Sequence, residues 1–417
     1  MTMTMSAFAW LDYSDGERRR MLEVIDLFRE KGTLDELGIG SIRDTFADRF
    51  FPAISTIQSR ARYFLFVPWL YQMLERDRIA SARAWPHARW LQAKLVDSLK
   101  AGGEGTAAGL IGIDAGANVQ RPPSTTYWAG MRRLGILTHP GSADRYHTSL
   151  DGFYRGARRA VRSEGEELIE RAQHNWNPSL PPPPDDLLTA TTFKLRFEDA
   201  DFLAEQIRHH AGDSLFARCL LPNIRRVKSA RAIWDLGGLE TLDDQLQTDI
   251  EDARCFALLM DGAVLTYNLL LAEAVEAAGI RSDDSLSSQF RAELAPWSDE
   301  MTANQMVLQT WDRPAMWARL RSLNQRIPAG AQQFAENWIT AATSAPHAVM
   351  DDETIRQFIS NRERRLKGSL ARLHNPRALE RWSGRSGVGR LSYRWDPVAQ
   401  RILIDILDGL GRPPTAD

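Results

Sequence analysis

Arginine is the residue type in this chain with the most chemistry to offer. Of 52 basic residues only six are lysine (Lys31, Lys94, Lys100, Lys194, Lys228 and Lys367), which leaves 46 arginines. A guanidinium stays charged and presents a planar fork of donors, which suits bidentate contact with phosphate and with base edges. A GC-rich genome produces the same bias, so the placement of the arginines has to decide. Two stretches concentrate them. Residues 121–162 hold eight arginines against two acids, a net of +6. Residues 356–401 hold eleven arginines and Lys367 against three acids, a net of +9, interleaved with Trp382, Tyr393 and Trp395. Positive charge beside aromatic rings is what unstacked bases require: attraction for phosphate plus a stacking surface. Ser383 to Arg390 (SGRSGVGR) reads as a glycine-rich loop with amides for a phosphate, although it lacks the Gly-Lys-Ser/Thr ending of a P-loop. The candidate nucleic-acid contacts are Arg121, Arg132, Arg133, Arg385, Arg390 and Arg394. The plain alternative places the two tryptophans in the core and pairs the arginines with acids elsewhere.

Catalytic chemistry is harder to find. The eight histidines form no metal-binding or nucleophile-activating signature. His209 and His210 are adjacent, so on a helix they point about 100° apart and do not share a metal. No GxSxG elbow occurs, and Asp243-Asp244, Asp283-Asp284 and Asp351-Asp352 read as caps and solvated loops. Asp261 differs, because it sits among Phe256, Leu258, Leu259, Met260, Val264 and Leu265. A carboxylate in such surroundings has to be paired, hydrogen-bonded or protonated. An arginine partner is the expectation there, and a catalytic role the alternative. The two cysteines, Cys219 and Cys255, exclude a disulfide framework and a cysteine-rich zinc module, and read as buried thiols. The sequence predicts no metal site and no cofactor, and it favours a non-enzymatic protein.

These side chains need elements to hold them, and helical punctuation dominates. Ser14 to Glu17 is a capping box before a helix carrying Met21, Ile25 and Phe28. Ser55 to Gln58 is a second, opening a helix toward Arg76 that Pro68 should kink or break. Trp90, Lys94 and Leu95 belong to another helix. Thr241 with Asp244 opens a long segment ending near Gly279, and later helices are predicted at 301–326, 331–343, 354–373 and 398–409. Strand patterns are scarce: Thr191 to Phe197 (TTFKLRF) is one, and Ile136 to Thr148 reads as a hairpin. Before that hairpin come a helix ending near Lys100, an apolar segment at Gly105 to Ala117, and a helix capped by Ser124. The last would bury Tyr127, Met131 and Leu134, project Arg132 and Arg133 outward, and stop at Gly135. Helix, helix, helix and hairpin is the order of a winged helix-turn-helix, with 124–134 as the recognition helix.

The predicted fold class is mainly α: a multi-domain helical protein with a small winged-helix-like α+β module. Its expected parts are an N-terminal helical region at 1–80, the winged-helix-like module at 81–176, a proline-rich linker at 177–186 (NPSLPPPPDD), and a helical C-terminal domain at 187–417. Four consecutive prolines favour a stiff extended spacer. The chain of 417 residues has a formal charge of −2, yet residues 235–300 alone carry 15 acids against three arginines, a net of −12. The near-neutral total therefore conceals opposed blocks. The acidic middle either docks against the basic tail or leaves that tail facing an anionic partner. Tyr63 to Tyr71 is far shorter than the roughly 20 residues a membrane span needs. Phe256 to Leu271 is interrupted by Asp261 and reads as a buried core helix. With no basic leader at Met1 to Ser6, the expected location is cytoplasmic, with no membrane partner.

Four segments carry a resemblance. They are WLDYS (10–14), LGIGSIRDTFADRFFPAISTIQSRARYFLFVPWLY (37–71), PSTTYWAGMRRLGI (123–136) and NRERRLKGSLARLHNPRALERWSGRSGVGRLSYRW (361–395). Together they resemble a bacterial family of unknown function whose members occur in phage-defence gene islands, beside helicase-like and phospholipase-D-like nuclease genes. The resemblance spans most of the chain and implies an accessory role in DNA-directed defence. It assigns no catalytic residue. Joined to the basic segments, it predicts a DNA-binding accessory subunit of a bacterial antiviral defence complex. Its partners would be DNA and other defence-system proteins, among them a helicase or nuclease. The alternatives are a protein-interaction scaffold without nucleic-acid contact and a cryptic metal-dependent nuclease.

Overall fold

The computed structural model describes residues 35–105, 109–113, 119–162, 174–280, 285–387 and 389–411. Among them every regular element is helical. The early helices are α1 (Gly40–Phe50), α2 (Tyr63–Arg76), α3 (Ser81–Ala101), α4 (Pro123–Arg133), α5 (Ala143–Arg162), α6 (Phe197–Ala211) and α7 (Leu215–Arg218). The long α8 (Asp244–Ala277) is followed by α9 (Leu286–Ala303), α10 (Gln305–Thr310), α11 (Arg313–Leu323) and α12 (Ala329–Ser344). Last come α13 (Glu353–Lys367), α14 (Pro376–Glu380) and α15 (Gln400–Gly409). The chain folds into two compact units, one of Met1–Ile42 with Cys255–Leu391 and one of Arg43–Arg254 with Ser392–Asp417. The proline-rich stretch at 177–186 lies inside the second unit. The capping box at Ser14 to Glu17 and the helix expected after it lie outside the described residues.

The second unit is built on α2. Every residue from Tyr63 to Tyr71 is buried, so this apolar run is an interior helix with no polar face. Pro68 sits inside it, and the helix continues to Arg76. An interior proline costs about 3 kcal/mol, whereas each large side chain fully buried contributes about 1.5–3 kcal/mol, so the packing of its neighbours prevails. The predicted start at Ser55 is corrected. Gln58 Oε1 does accept the Ser55 N–H (3.3 Å), and Gln58 Nε2 donates to Ala53 O (3.2 Å). Yet residues 51–62 stay in turns and irregular backbone, and the helix opens only at Tyr63. The proline stretch packs on the same helix, since Trp69 Nε1 donates to Pro181 O (2.7 Å).

The winged-helix-like module predicted at 81–176 does not form. Residues 109–113 between α3 and α4 are turn, and no hairpin follows α4. Tyr146, His147 and Thr148 lie within α5. The cause is periodicity: Tyr146 and Leu150, four residues apart, are both buried, and Ser142 Oγ accepts the Arg145 N–H (3.2 Å) at the entry to the helix. What remains of the hairpin is an isolated antiparallel bridge between Leu137 and Trp176. The candidate strand at Thr191 to Phe197 also fails. Phe193 and Leu195 are buried from extended chain, no strand pairs with it among the described residues, and Phe197 opens α6. Within α4 the reading holds. Tyr127, Met131 and Leu134 are buried, Arg132 and Arg133 are exposed, and Gly135 takes a left-handed φ of 65°. Pro123, not Ser124, starts the helix, a position where its fixed φ and missing N–H are harmless.

The first unit is built around α8 from Cys255 onward. Trp297 Nε1 of α9 donates to Leu258 O (2.8 Å), and Trp338 Nε1 of α12 donates to Leu259 O (2.7 Å). Gly262 admits the first indole, because a Cβ there would lie 2.1 Å from the Trp297 ring. In α8 an 18-residue window is apolar enough to cross a membrane, and 89% of it is buried, as expected of a core helix. The stretch predicted as one helix at 301–326 is divided among the end of α9, α10 and α11, and that at 354–373 stops at Lys367. Asp352 caps α13 by accepting the Thr354 and Ile355 N–H groups (2.8 and 3.2 Å). Cys219 and Cys255 are both buried.

Candidate anion-binding site

Four pieces of the second unit line an open cavity of about 490 Å³. α1 supplies Asp48. The turn after it supplies Pro52, Ile54 and Ser55. α4 supplies Thr126 and Arg133, and the chain entering from Ser392 supplies Arg394. The pieces meet closely because residue 130 is glycine: a Cβ there would lie 2.5 Å from Ala53 O. Three non-glycine residues at or beside the cavity hold left-handed backbone, Ala53 (φ 77°), Tyr393 (φ 51°) and Arg394 (φ 67°). Such conformations cost on the order of 1–3 kcal/mol each, persist only where the surroundings enforce them, and cluster at functional sites.

Arg394 is the best-anchored charge in the cavity. Its Nη1 donates to Ile54 O (2.7 Å) and to Asp48 Oδ1 (2.5 Å), while Nη2 lies 3.9 Å from Asp44. Its Nε has no acceptor and is shut off from water, and the Ser55 hydroxyl is in the same condition. Arg133 stands at the cavity with its side chain exposed, one residue from the exposed Arg132.

The six predicted arginines thus have different surroundings. The structure brings Arg133 and Arg394 together, with Arg132 adjacent on α4. Arg121 is half-buried just before α4 and already engaged. In the first unit, Arg385 forks onto Glu293, and Arg390 onto Glu300 at 2.7 and 3.1 Å. Acidic middle and basic tail therefore meet within that unit, as in the docking alternative. The loop at 383–390 is committed too: the Ser386 N–H donates to Asn268 Oδ1 (2.6 Å), and Asn268 Nδ2 donates to Ser386 O (2.8 Å). The interleaved aromatics are core residues, with Trp382, Tyr393 and Trp395 each at most 1% exposed, so none offers a stacking face. Asp48, Ser55 and Thr126 escaped notice in the sequence. Ser55 was visible only as a capping residue, and nothing local marks Asp48.

Other titratable groups with shifted or paired side chains lie outside this cavity. Burial pushes the Asp261 carboxyl up to about 6, Arg390 and Arg385 pull it down, and Glu300 and Glu293 push it further up. Fully buried Glu363 accepts from Tyr267 OH (2.5 Å), from the Arg372 and Leu373 N–H groups (2.9 and 3.0 Å) and from Lys367 (3.3 Å). Burial, then Arg372, lowers Lys367 to about 7, while its contacts with Glu36 and Glu363 favour the charged form. Ser149 lies 3.3 Å from His139 Nε2, but His139 Nδ1 accepts the Gly141 N–H (3.1 Å). The neutral ring then carries its proton on Nε2 and is no base for the serine. Among the described residues no group of three or more His, Cys, Asp or Glu is placed to hold a metal ion.

No curated protein and no solved structure matches the chain. A family model covers residues 5–409, nearly the whole length, and the chain belongs to that family, described as a family of unknown function (DUF6361).

Proposed function

We propose that this protein binds DNA through its phosphate backbone, as an accessory subunit of a bacterial antiviral defence system that works beside helicase or nuclease subunits. The observation that carries the DNA-binding reading is the exposed pair Arg132 and Arg133 on the last turn of α4, with Arg133 facing the cavity it shares with Arg394. Arg145 and Arg155 on α5 are also exposed in the same unit. Guanidiniums in such a set supply a sequence-independent attraction for phosphate, and counterion release makes that attraction salt-dependent. The defence setting rests on the resemblance alone. Arg385 and Arg390 contribute less here, because Glu293 and Glu300 already hold them. Fluorescence anisotropy with labelled duplex DNA tests the reading. Affinity should fall steeply between low and physiological salt. Arg132→Ala with Arg133→Ala should weaken binding across sequences and reduce the salt slope by about 2, roughly one per lost phosphate contact. Absence of binding at low salt overturns it.

The scaffold reading also has an observation in its favour. Met306, Val307 and Leu323 on α10 and α11 of the first unit are 78%, 38% and 54% exposed, while that unit's candidate arginines are paired. A stoichiometric protein partner free of nucleic acid is the mark of that role.

A further inference from the structure

We infer that the cavity between Arg133 and Arg394 is an oxyanion pocket that takes a phosphate monoester, whether of a free nucleotide or of a DNA strand end. This deepens the DNA-binding reading by naming what one of its arginines holds, but it can stand or fall separately.

The charge pattern comes first. Two guanidiniums from residues far apart in sequence line one concave space. A phosphate monoester carries about −1.5 to −2 charges near pH 7, which matches two guanidiniums better than the single charge of an internal diester. Arg394 is held in place by Ile54 O, so its fork is oriented before any ligand arrives, and preorganisation of this kind lowers the cost of binding. Its present partner, the Asp48 carboxylate, is an oxyanion of the chain itself. The Asp48 side chain is 68% exposed, so it can swing away without unpacking α1.

The lining carries further polar groups. Ser55, Gln58 and Thr126 join Arg133 and Arg394 in it. Left-handed backbone at Ala53 and Arg394, both in the lining, is held there against local preference. A volume of about 490 Å³ is adequate for a mononucleotide. Among the cavity-lining residues none is aromatic, so a base has nothing to stack on, and recognition rests on the phosphate.

Calorimetric titration of the full chain with inorganic phosphate, AMP and CMP, and with 5′-phosphorylated and 5′-hydroxyl oligonucleotides, tests the proposal. Saturable binding of phosphate is expected, with AMP and CMP alike within a few-fold. Arg133→Ala should weaken phosphate and AMP about tenfold, a charged hydrogen-bonding contact being lost. Asp48→Asn removes the competing carboxylate, and because exposed ion pairs are weak it should tighten phosphate binding by only about two- to fivefold. A preference for the 5′-phosphorylated strand identifies a strand end as the source; equal strand binding with saturable AMP identifies a free nucleotide. No saturable phosphate binding, or an Asp48→Asn variant that binds more weakly than the parent, overturns the pocket. Arg132 lies outside the cavity lining, so loss of DNA binding on Arg132→Ala with AMP affinity unchanged keeps the two readings apart. Phosphate binding without DNA binding overturns the DNA reading and leaves the pocket.

Discussion

His147 is 4% exposed, within 3.1 Å of the Tyr71 hydroxyl, and its Nδ1 has no partner. Burial pushes its imidazole down to about 4, with Asp144 opposing more weakly. The folded protein keeps the ring neutral between pH 6.5 and 4, where the unfolded chain takes up a proton, so stability should fall as pH drops through that window. The size is on the order of 3 kcal/mol. His147→Gln should flatten the decline between pH 7 and 4.5 in chemical denaturation; an unchanged slope contradicts this. Asp261 acts with the opposite sign. Its carboxyl is raised to about 6, so its folded form favours the proton, and its contribution is lost as pH rises through 6. Asp261→Asn should raise the thermal midpoint more at pH 8 than at pH 5, and equal shifts would count against it. Both cysteines and Asp261 were legible in the sequence because their neighbours are apolar. Asp48 and Ser55 were not, because their significance comes from Arg394, more than 300 positions away.

At the level of elements, close approach decides what the cavity is made of. Gly130 lets α4 touch the turn at Ala53, and a Cβ there meets a backbone carbonyl at 2.5 Å, not a movable side chain. Gly130→Ala should therefore cost about 1–3 kcal/mol as overpacking, read as a lower unfolding midpoint, together with weaker phosphate binding. A neutral effect would mean that α4 and the turn are not in contact. α4 was readable from its own pattern of three buried positions on one face and a glycine stop, although it starts at Pro123 and not after a Ser124 cap. The hairpin after it was not. Tyr146-His147-Thr148 has strand-forming residues, yet Tyr146 and Leu150 repeat at the helical period, and over a segment this short the two signals compete. The helix at Ser55 failed similarly. One capping-box hydrogen bond formed, but the chain did not turn helical until the buried run at Tyr63.

For the whole molecule, the formal charge of −2 is a sum of opposed blocks, and their pairing differs between the units. In the first, Arg385 and Arg390 are matched by Glu293 and Glu300, and Arg291 and Arg356 share Glu273. In the second, Arg132 and Arg133 remain exposed. The sequence located both basic segments correctly but could not say which was already matched, since that depends on contacts about 90 residues apart in the chain. The proposed DNA contact is placed in the second unit on this ground. The most direct test is the salt dependence of duplex DNA affinity for the parent chain beside the Arg132→Ala, Arg133→Ala double variant. A steep fall with salt is expected, with a slope smaller by about 2 in the variant. Equal slopes for the two proteins, or no binding by either at low salt, would contradict the assignment.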